Sequence, residues 1–207
     1  MSGIRNGAIF YSDTRIDGYM NPCFPCITKC TQCHCIFWLD EENQVEGSIP
    51  RNISYFYNEY DDEDDTASQT TKNPVFGDQL EIHRAKELDL EGIKDALYME
   101  VQRNFEDEHY LRRHLLVSYH ILQETGKITR EQLNNDVDYL KNIEDFYQLI
   151  DHDDECRPFQ AELMRFAGKF ERALEIMEPY VDEFMGPILG QIYQLSMQGN
   201  RDVFFVE

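Results

Sequence analysis

Long apolar runs are missing from this sequence, and so is an excess of positive charge. No apolar run approaches the ~20 residues that a membrane-spanning helix needs, and 19 Lys and Arg face 40 Asp and Glu, a formal net charge of −21. The field of such a protein repels nucleic-acid phosphates and anionic membrane surfaces. We therefore expect no nucleic acid and no membrane among its partners, whereas a basic protein partner is allowed. A purely solubilising role of the charge is the alternative.

A secretory signal is also missing from the start of the sequence. The first eleven residues contain one Arg but no apolar core of the kind that signal peptides carry. We therefore expect a cytoplasmic protein. In a reducing compartment, clustered cysteines indicate metal binding or redox chemistry rather than disulfides.

Familiar catalytic motifs are absent as well. The sequence has no P-loop, no GxGxxG and no GxSxG. His109, His114 and His120 are five and six positions apart, so they do not share a helical face as a metal-binding HExxH pair does. The acidic stretch 151–155 lies between two helical patterns, where Asp is expected as a helix cap. We therefore assign no catalytic residue, and an enzyme is unsupported.

Five of the six cysteines lie between positions 23 and 35. They include two CxxC pairs, Cys23 with Cys26 and Cys30 with Cys33. Each pair places two thiolates on one tight turn, and four thiolates form a closed, tetrahedral structural zinc site. Because such a site has no open position for a substrate, the zinc is expected to hold structure. The predicted metal ligands are Cys23, Cys26, Cys30 and Cys33.

The short spacer between the two pairs leaves alternatives open. The Cα atoms of Cys26 and Cys30 can be at most ~14 Å apart, so one tetrahedron is cramped, and His34 or Cys35 could replace a thiolate. The ferredoxin spacing of an iron–sulfur cluster is not present. A redox dithiol lacks the βαβ context of thioredoxin-like proteins. A degenerate knuckle that packs without metal is the remaining alternative.

Hydrophobic patterning divides the chain into three parts. Residues 1–47 form a Cys-rich zinc-knuckle module with two short strands. Residues 48–77, which contain an acidic run, form an acidic flexible linker. Residues 78–207 repeat their apolar positions with a period near 3.6 and have short connections, which predicts an all-α array of six or seven helices in antiparallel hairpins. The predicted fold class is mainly α.

Several local signals mark where these helices begin and end. Thr129 followed by Gln132 has the spacing of a capping box. Gly126 and Gly168 are expected to end helices, and Pro187 suits a first helical turn. The apolar tail 203–206 is expected to dock on the rest of the protein.

The segment 161–175, AELMRFAGKFERALE, resembles the middle of a tetratricopeptide repeat. Gly168, Phe170, Ala173 and Leu174 match that family's pattern. The resemblance implies one helical hairpin whose first helix ends at the glycine and whose alanine allows close helix packing. It covers about one repeat, and the rest of the chain departs from the repeat period.

The layout of the whole chain also resembles a group of uncharacterised bacterial proteins. In that group a CxxC zinc knuckle and a Phe-Trp strand precede a tetratricopeptide-like helical domain; here Cys30, Cys33, Phe37, Trp38 and the segment 161–174 carry the likeness. The resemblance implies this architecture and no particular activity. We therefore predict a non-enzymatic protein-interaction or scaffold module with a structural zinc knuckle. The alternative is an enzyme or redox protein that uses the cysteine cluster.

Overall fold

The computed structural model describes residues 9–17, 26–30, 33–39, 85–180 and 186–206. This part of the chain is mainly helical, which confirms the predicted fold class at that level. Cys23 and the predicted linker 48–77 lie outside the described residues. The strands are β1 Ile9–Tyr11, β2 Ile16–Asp17, β3 Ile27–Cys30, β4 Ile36–Trp38, β5 Ala85–Glu87 and β6 Phe205–Val206. The helices are α1 Leu90–Tyr98, α2 Phe105–Glu124, α3 Arg130–Asn135, α4 Val137–Ile150, α5 Arg157–Phe166, α6 Phe170–Met177 and α7 Pro187–Met197.

The chain folds into two compact units. One comprises Met1–Pro25 with Glu87–Glu207, and the other Cys26–Lys86. The predicted division into 1–47, 48–77 and 78–207 stays a prediction. In the larger unit, β1 lies between β2 and β6 in one sheet. Phe10 is opposite Val206 and Tyr11 opposite Phe205, so the predicted docking of the tail is a strand addition.

Local side-chain chemistry sets the helix boundaries of the larger unit. The Thr129 side chain accepts from the Gln132 backbone while the Gln132 side chain accepts from the Thr129 backbone, so the predicted capping box forms. The Asn104 and Asp136 side chains cap α2 and α4 by accepting from the backbone N–H groups of Asp107 and Tyr139. Pro187 is the first residue of α7, as predicted.

Position 168, which follows the end of α5, requires glycine for two reasons. Its φ is +75°, a left-handed backbone that favours glycine. In addition, the Arg201 guanidinium occupies the space that a Cβ at this position would need. The sequence predicts the first reason but not the second.

The core of the larger unit lies where its helices pack against one another. α2 packs on α4, and Arg112 in the first half of α2 donates to Asp145 in the second half of α4 at 3.2 Å. α5 packs on α6, and α1 on α2. The side chains completely removed from solvent include Ala96, Leu111, Leu116, Ile143, Phe146, Ile150, Leu163, Phe166 and Ala173. Burying each large apolar side chain contributes about 1.5–3 kcal/mol relative to exposure.

The smaller unit contains a β-hairpin of β3 and β4, and the sheet order is β4-β3-β5. Ile27 is paired with Trp38, and both side chains are buried. Within the described part of the chain, no helix combines the length and the apolar character that crossing a membrane requires.

Candidate functional site

The cysteine cluster lies on the β3–β4 hairpin. Ile27 is opposite Trp38 and Lys29 opposite Ile36, which sets the register. Beyond the ladder, the Leu39 N–H donates to the Cys26 carbonyl at 2.8 Å and the Cys30 N–H donates to the Cys35 carbonyl at 2.9 Å. Cys26 therefore lies at the open end of the hairpin, whereas Cys30 and Cys35 lie at its closed end.

The turn at the closed end contains Cys33 and His34; positions 31 and 32 are outside the described residues. The His34 N–H donates to the Cys30 carbonyl at 3.0 Å. His34 has a φ of 61°, a left-handed conformation that is uncommon for a non-glycine residue. Cys33 and Cys35 are exposed, while Cys30 is 5% exposed. These cysteines are close in the sequence. Strand pairing determines which of them are neighbours in the fold, and it places Cys30 opposite Cys35.

The structure separates two of the predicted zinc ligands. Cys26 precedes β3 directly and Cys30 ends it, so four residues of extended chain place their Cα atoms about 13 Å apart. Two thiolates bound to one zinc at about 2.3 Å require Cα atoms within about 10 Å of each other. Among the described residues, no group of three or more His, Cys, Asp or Glu side chains is arranged to hold a metal ion in the present orientations. Cys23 lies outside the described residues, so the predicted set of Cys23, Cys26, Cys30 and Cys33 stays a prediction.

A second candidate site is a buried chain of polar groups in the larger unit. Asp13 Oδ2 lies 2.9 Å from His120 Nδ1, and His120 Nε2 lies 2.9 Å from the Tyr139 hydroxyl. A carboxylate, an imidazole and a hydroxyl in this order also occur in catalytic triads. All three side chains, however, are 2% exposed or less. Because no substrate can reach them, this arrangement is structural.

The electrostatics of this chain agree with a structural role. Burial raises the pKa of Asp13, but the hydrogen bond and charge of His120 and the contacts with Arg15 outweigh it, so the pKa of this carboxyl lies below its ordinary value. Burial above all raises the pKa of Tyr139. Asp13 is thus a buried carboxylate that needs its partners, and Tyr139 is a neutral hydroxyl.

The N-terminal segment that contains Asp13 is held on α2 by further contacts. Arg15 donates two hydrogen bonds to the Glu124 carboxylate, at 2.6 and 2.7 Å. Arg113 donates to the Thr14 carbonyl at 2.7 Å. Together with His120, these residues hold the N-terminal segment along α2.

A buried ion pair holds the C-terminal tail in a similar manner. Arg165 donates to both carboxylate oxygens of Glu162, at 2.5 and 2.7 Å, and both side chains are at most 1% exposed. Arg165 also donates to the carbonyls of Asn200 and Asp202, at 2.6 and 2.8 Å. Sequence reasoning missed this pair because charged residues on a short helix usually face solvent. The available signal was only their spacing of three residues.

A third feature lies where α2 begins and α4 ends. The Phe105 ring is 6.0 Å from the His109 ring and 6.1 Å from the His152 ring, and Phe105 remains 42% exposed. Exposed carboxylates follow at Glu106, Asp151 and Glu155. We call these five positions, 105, 106, 151, 152 and 155, the acidic aromatic end.

The cations close to this end are engaged within the chain. Arg103 donates to Asp107 at 2.7 Å, and Arg157 donates to Asp154 at 2.6 Å. Burial, followed by the charge of Arg113, lowers the pKa of His109, which therefore adds little positive charge at neutral pH.

The remaining cysteine, Cys156, is half-buried and donates to the Asp153 carboxylate at 3.3 Å. Burial, followed by the contact with Asp153, raises the pKa of this thiol. It is therefore a poor nucleophile, since the thiolate is the reactive form. Asp153 itself accepts from the Glu155 N–H and caps a 3-10 turn before α5, which confirms the predicted capping role of the acidic stretch.

Comparison of the chain with family models, with curated proteins and with solved structures finds no match. The resemblance to bacterial knuckle proteins and to the tetratricopeptide repeat therefore stays a prediction from sequence. The function has to be argued from the geometry of this chain alone.

Proposed function

We propose that this protein is a non-enzymatic protein-interaction module whose partner is a Lys- or Arg-rich peptide segment with apolar side chains. The observation that carries the proposal is the exposed Phe105 ring, which lies 6.0 and 6.1 Å from two histidine rings, with exposed Glu106, Asp151 and Glu155 next to Phe105 and His152 in the sequence. An aromatic ring offers apolar contact area and a face on which a guanidinium or ammonium can stack.

The distribution of charge supports a basic partner. Asp and Glu outnumber Lys and Arg by 40 to 19 in the chain. Many of the basic side chains of the larger unit already pair with carboxylates of the same chain, so they do not repel an incoming cation. These are Arg15, Lys94, Arg103, Arg112, Arg130, Lys141, Arg157, Arg165, Lys169 and Arg172.

The strength of such an interaction has to come from several small contributions. An exposed ion pair contributes about 0.2–1 kcal/mol, and a cation over an exposed aromatic ring about 0.5–1 kcal/mol. We therefore expect weak, reversible binding whose affinity falls as salt rises.

The helical hairpins provide the rigid scaffold in this proposal. The pair α5–α6, joined through Gly168, carries the tetratricopeptide-like pattern with Phe170 and the buried Ala173. One repeat-like pair does not make the extended groove of a repeat array. For this reason we propose an end surface, and not a groove, as the binding site.

In this proposal, the cysteine hairpin binds a structural zinc ion. Its thiols lie on a tight turn, which suits a knuckle. The alternative, redox chemistry, is favoured by one observation, the exposure of Cys33 and Cys35. Metal content of the purified protein distinguishes the two, since bound zinc protects thiols from alkylation and a redox pair reacts quickly.

Peptide binding is tested by fluorescence anisotropy with a labelled peptide of alternating Lys and Leu. The same peptide with Glu in place of Lys is the charge control. We expect saturable binding of the Lys peptide, weaker binding at higher salt, and loss of about tenfold in affinity for Phe105→Ala.

Val137→Ala is the matched variant, because Val137 is also an exposed apolar residue at the first position of a helix, at 77% exposure. It should leave the affinity unchanged. Equal binding of the Lys and Glu peptides, or equal loss in both variants, contradicts the proposed surface.

A further inference from the structure

We infer that the cysteine hairpin binds its metal through Cys30, Cys33 and Cys35 at the closed end, and that Cys26 is not a ligand. The metal class is a soft, thiolate-binding divalent cation such as Zn²⁺. The inference rests on the structural metal of the proposed function, and it names a different ligand set from the one that the two CxxC pairs suggest.

The exclusion of Cys26 follows from the extended backbone of β3. Cys26 and Cys30 are four positions apart, about 13 Å in a strand. For both thiolates to bind one ion, β3 would have to bend. The bend would break the ladder to β4 and expose Ile27 and Trp38, which are paired and buried.

Cys35 is placed beside Cys30 by the same ladder. The register of β3 and β4, continued by the hydrogen bond from the Cys30 N–H to the Cys35 carbonyl, makes these two residues direct cross-strand neighbours. Side chains of directly opposed residues leave the same face of the pair, with Cβ atoms about 4.5–5.5 Å apart. Two thiolates at this separation can bind one ion without a change in the backbone.

Cys33 joins them through the turn. It precedes His34, whose left-handed φ of 61° and hydrogen bond to the Cys30 carbonyl fold the chain back over the strand end. The Cys35 Sγ already lies 3.9 Å from the Cys33 carbonyl. In their present orientations the thiols are not gathered around one point. Rotation of the exposed Cys33 and Cys35 side chains can gather them, and it breaks no ladder hydrogen bond.

The ligand set predicts the outcome of cobalt titration of the full-length protein and its single Cys→Ser variants. Co²⁺ reports thiolate ligands directly, because each bound thiolate adds to the charge-transfer absorption. Wild type should bind one equivalent with the absorption of three thiolates, and Zn²⁺ should displace it. C26S should bind with an affinity within about twofold of wild type and the same absorption.

The variants C30S, C33S and C35S should each lose affinity by on the order of 100-fold, since even loss of an outer partner of a metal ligand costs 10–100-fold. C156S is the control for a distant thiol and should behave as wild type. Circular dichroism of each variant without metal checks that the helices remain folded.

The outcomes separate this inference from the proposed structural metal. If wild type binds cobalt and C26S loses it, the ligand set is wrong while the structural metal stands. If C35S keeps full affinity and absorption, the inference is also overturned. If wild type binds neither Co²⁺ nor Zn²⁺, both the inference and the metal of the proposed function fall.

Discussion

The helical unit and the cysteine hairpin differ in how far they expose their reactive side chains. In the helical unit, Asp13, His120 and Tyr139 are buried and hydrogen-bonded to one another. On the hairpin, Cys33 and Cys35 are exposed on a tight turn. The buried polar chain stabilises the fold, and no ligand can reach it. The exposed thiols on the hairpin are accessible to an ion. Burial thus separates a structural chain of polar groups from a candidate binding site, although the first looks more like a catalytic site.

The largest effect that sharpens this comparison is expected at Arg165. Arg165→Met leaves the Glu162 carboxylate buried without its cation, and it removes the donors to the Asn200 and Asp202 carbonyls. Such a loss costs about 3–5 kcal/mol of unfolding free energy. Urea denaturation measures it. Arg172→Ala, which breaks an exposed pair of the same spacing with Glu175, should cost less than about 1 kcal/mol. Similar costs for both would show that burial does not govern these pairs.

Gly168→Ala should have the next largest effect. The substitution strains a backbone with φ of +75° and places a methyl group in the space of the Arg201 guanidinium. We expect a loss of about 2–3 kcal/mol, from strain and overpacking together. Gly126→Ala is the matched control, because Gly126 has a φ of +71° but open space around it, and it should cost about 1 kcal/mol. A thermal melt of both variants decides whether the Arg201 contact matters.

Asp13→Asn should destabilise the protein by about 2 kcal/mol near neutral pH, because it removes the charge that His120 and Arg15 pair with. Since folding lowers the pKa of Asp13 below its ordinary 3.8, its contribution is present above that value and is lost as pH falls through the lowered pKa. The difference in unfolding free energy between wild type and variant should therefore be constant above about pH 5 and shrink as the pH falls below the ordinary 3.8. A difference that grows on acidification would contradict the assignment of a buried carboxylate.

The smallest effect is expected at the exposed capping box of α3. Thr129→Ala removes the acceptor of the Gln132 N–H and should cost about 1 kcal/mol. Thr129→Ser keeps the hydroxyl and should cost a few tenths at most. Guanidinium denaturation of the two variants checks the difference.

Features whose determinants are close in the sequence can be predicted from it, whereas contacts between distant residues cannot. The capping box, Pro187 and the glycine at 168 are predictable because their determinants lie within a few residues. The pairing of Asp13 with His120 spans 107 positions, and its residues carry no local pattern. The apolar tail 203–206 predicts docking, but the choice of β1 as its strand partner has no local pattern either. The buried polar contacts of Asp13 and Arg165 are therefore ones that sequence reasoning missed.

The candidate site shows the same division. The spacing of the cysteines predicts a metal-binding cluster and leaves His34 and Cys35 as alternative ligands, and this stays a prediction. The choice among them depends on whether the segment 26–30 is extended or folded back. That is decided by cross-strand pairing of Ile27 with Trp38, which spacing alone does not contain.

The pairing of β1 with β6 also has a consequence for synthesis on the ribosome. Residue 10 cannot find its strand partner at residue 206 until nearly two hundred further residues have been made. At about 5–20 residues per second, this wait lasts ~10–40 s. α2 and His120 leave the ribosome in the meantime, so the buried polar contact with Asp13 can form first and hold the N-terminal segment in place. The last strand then completes a sheet whose other members are already positioned.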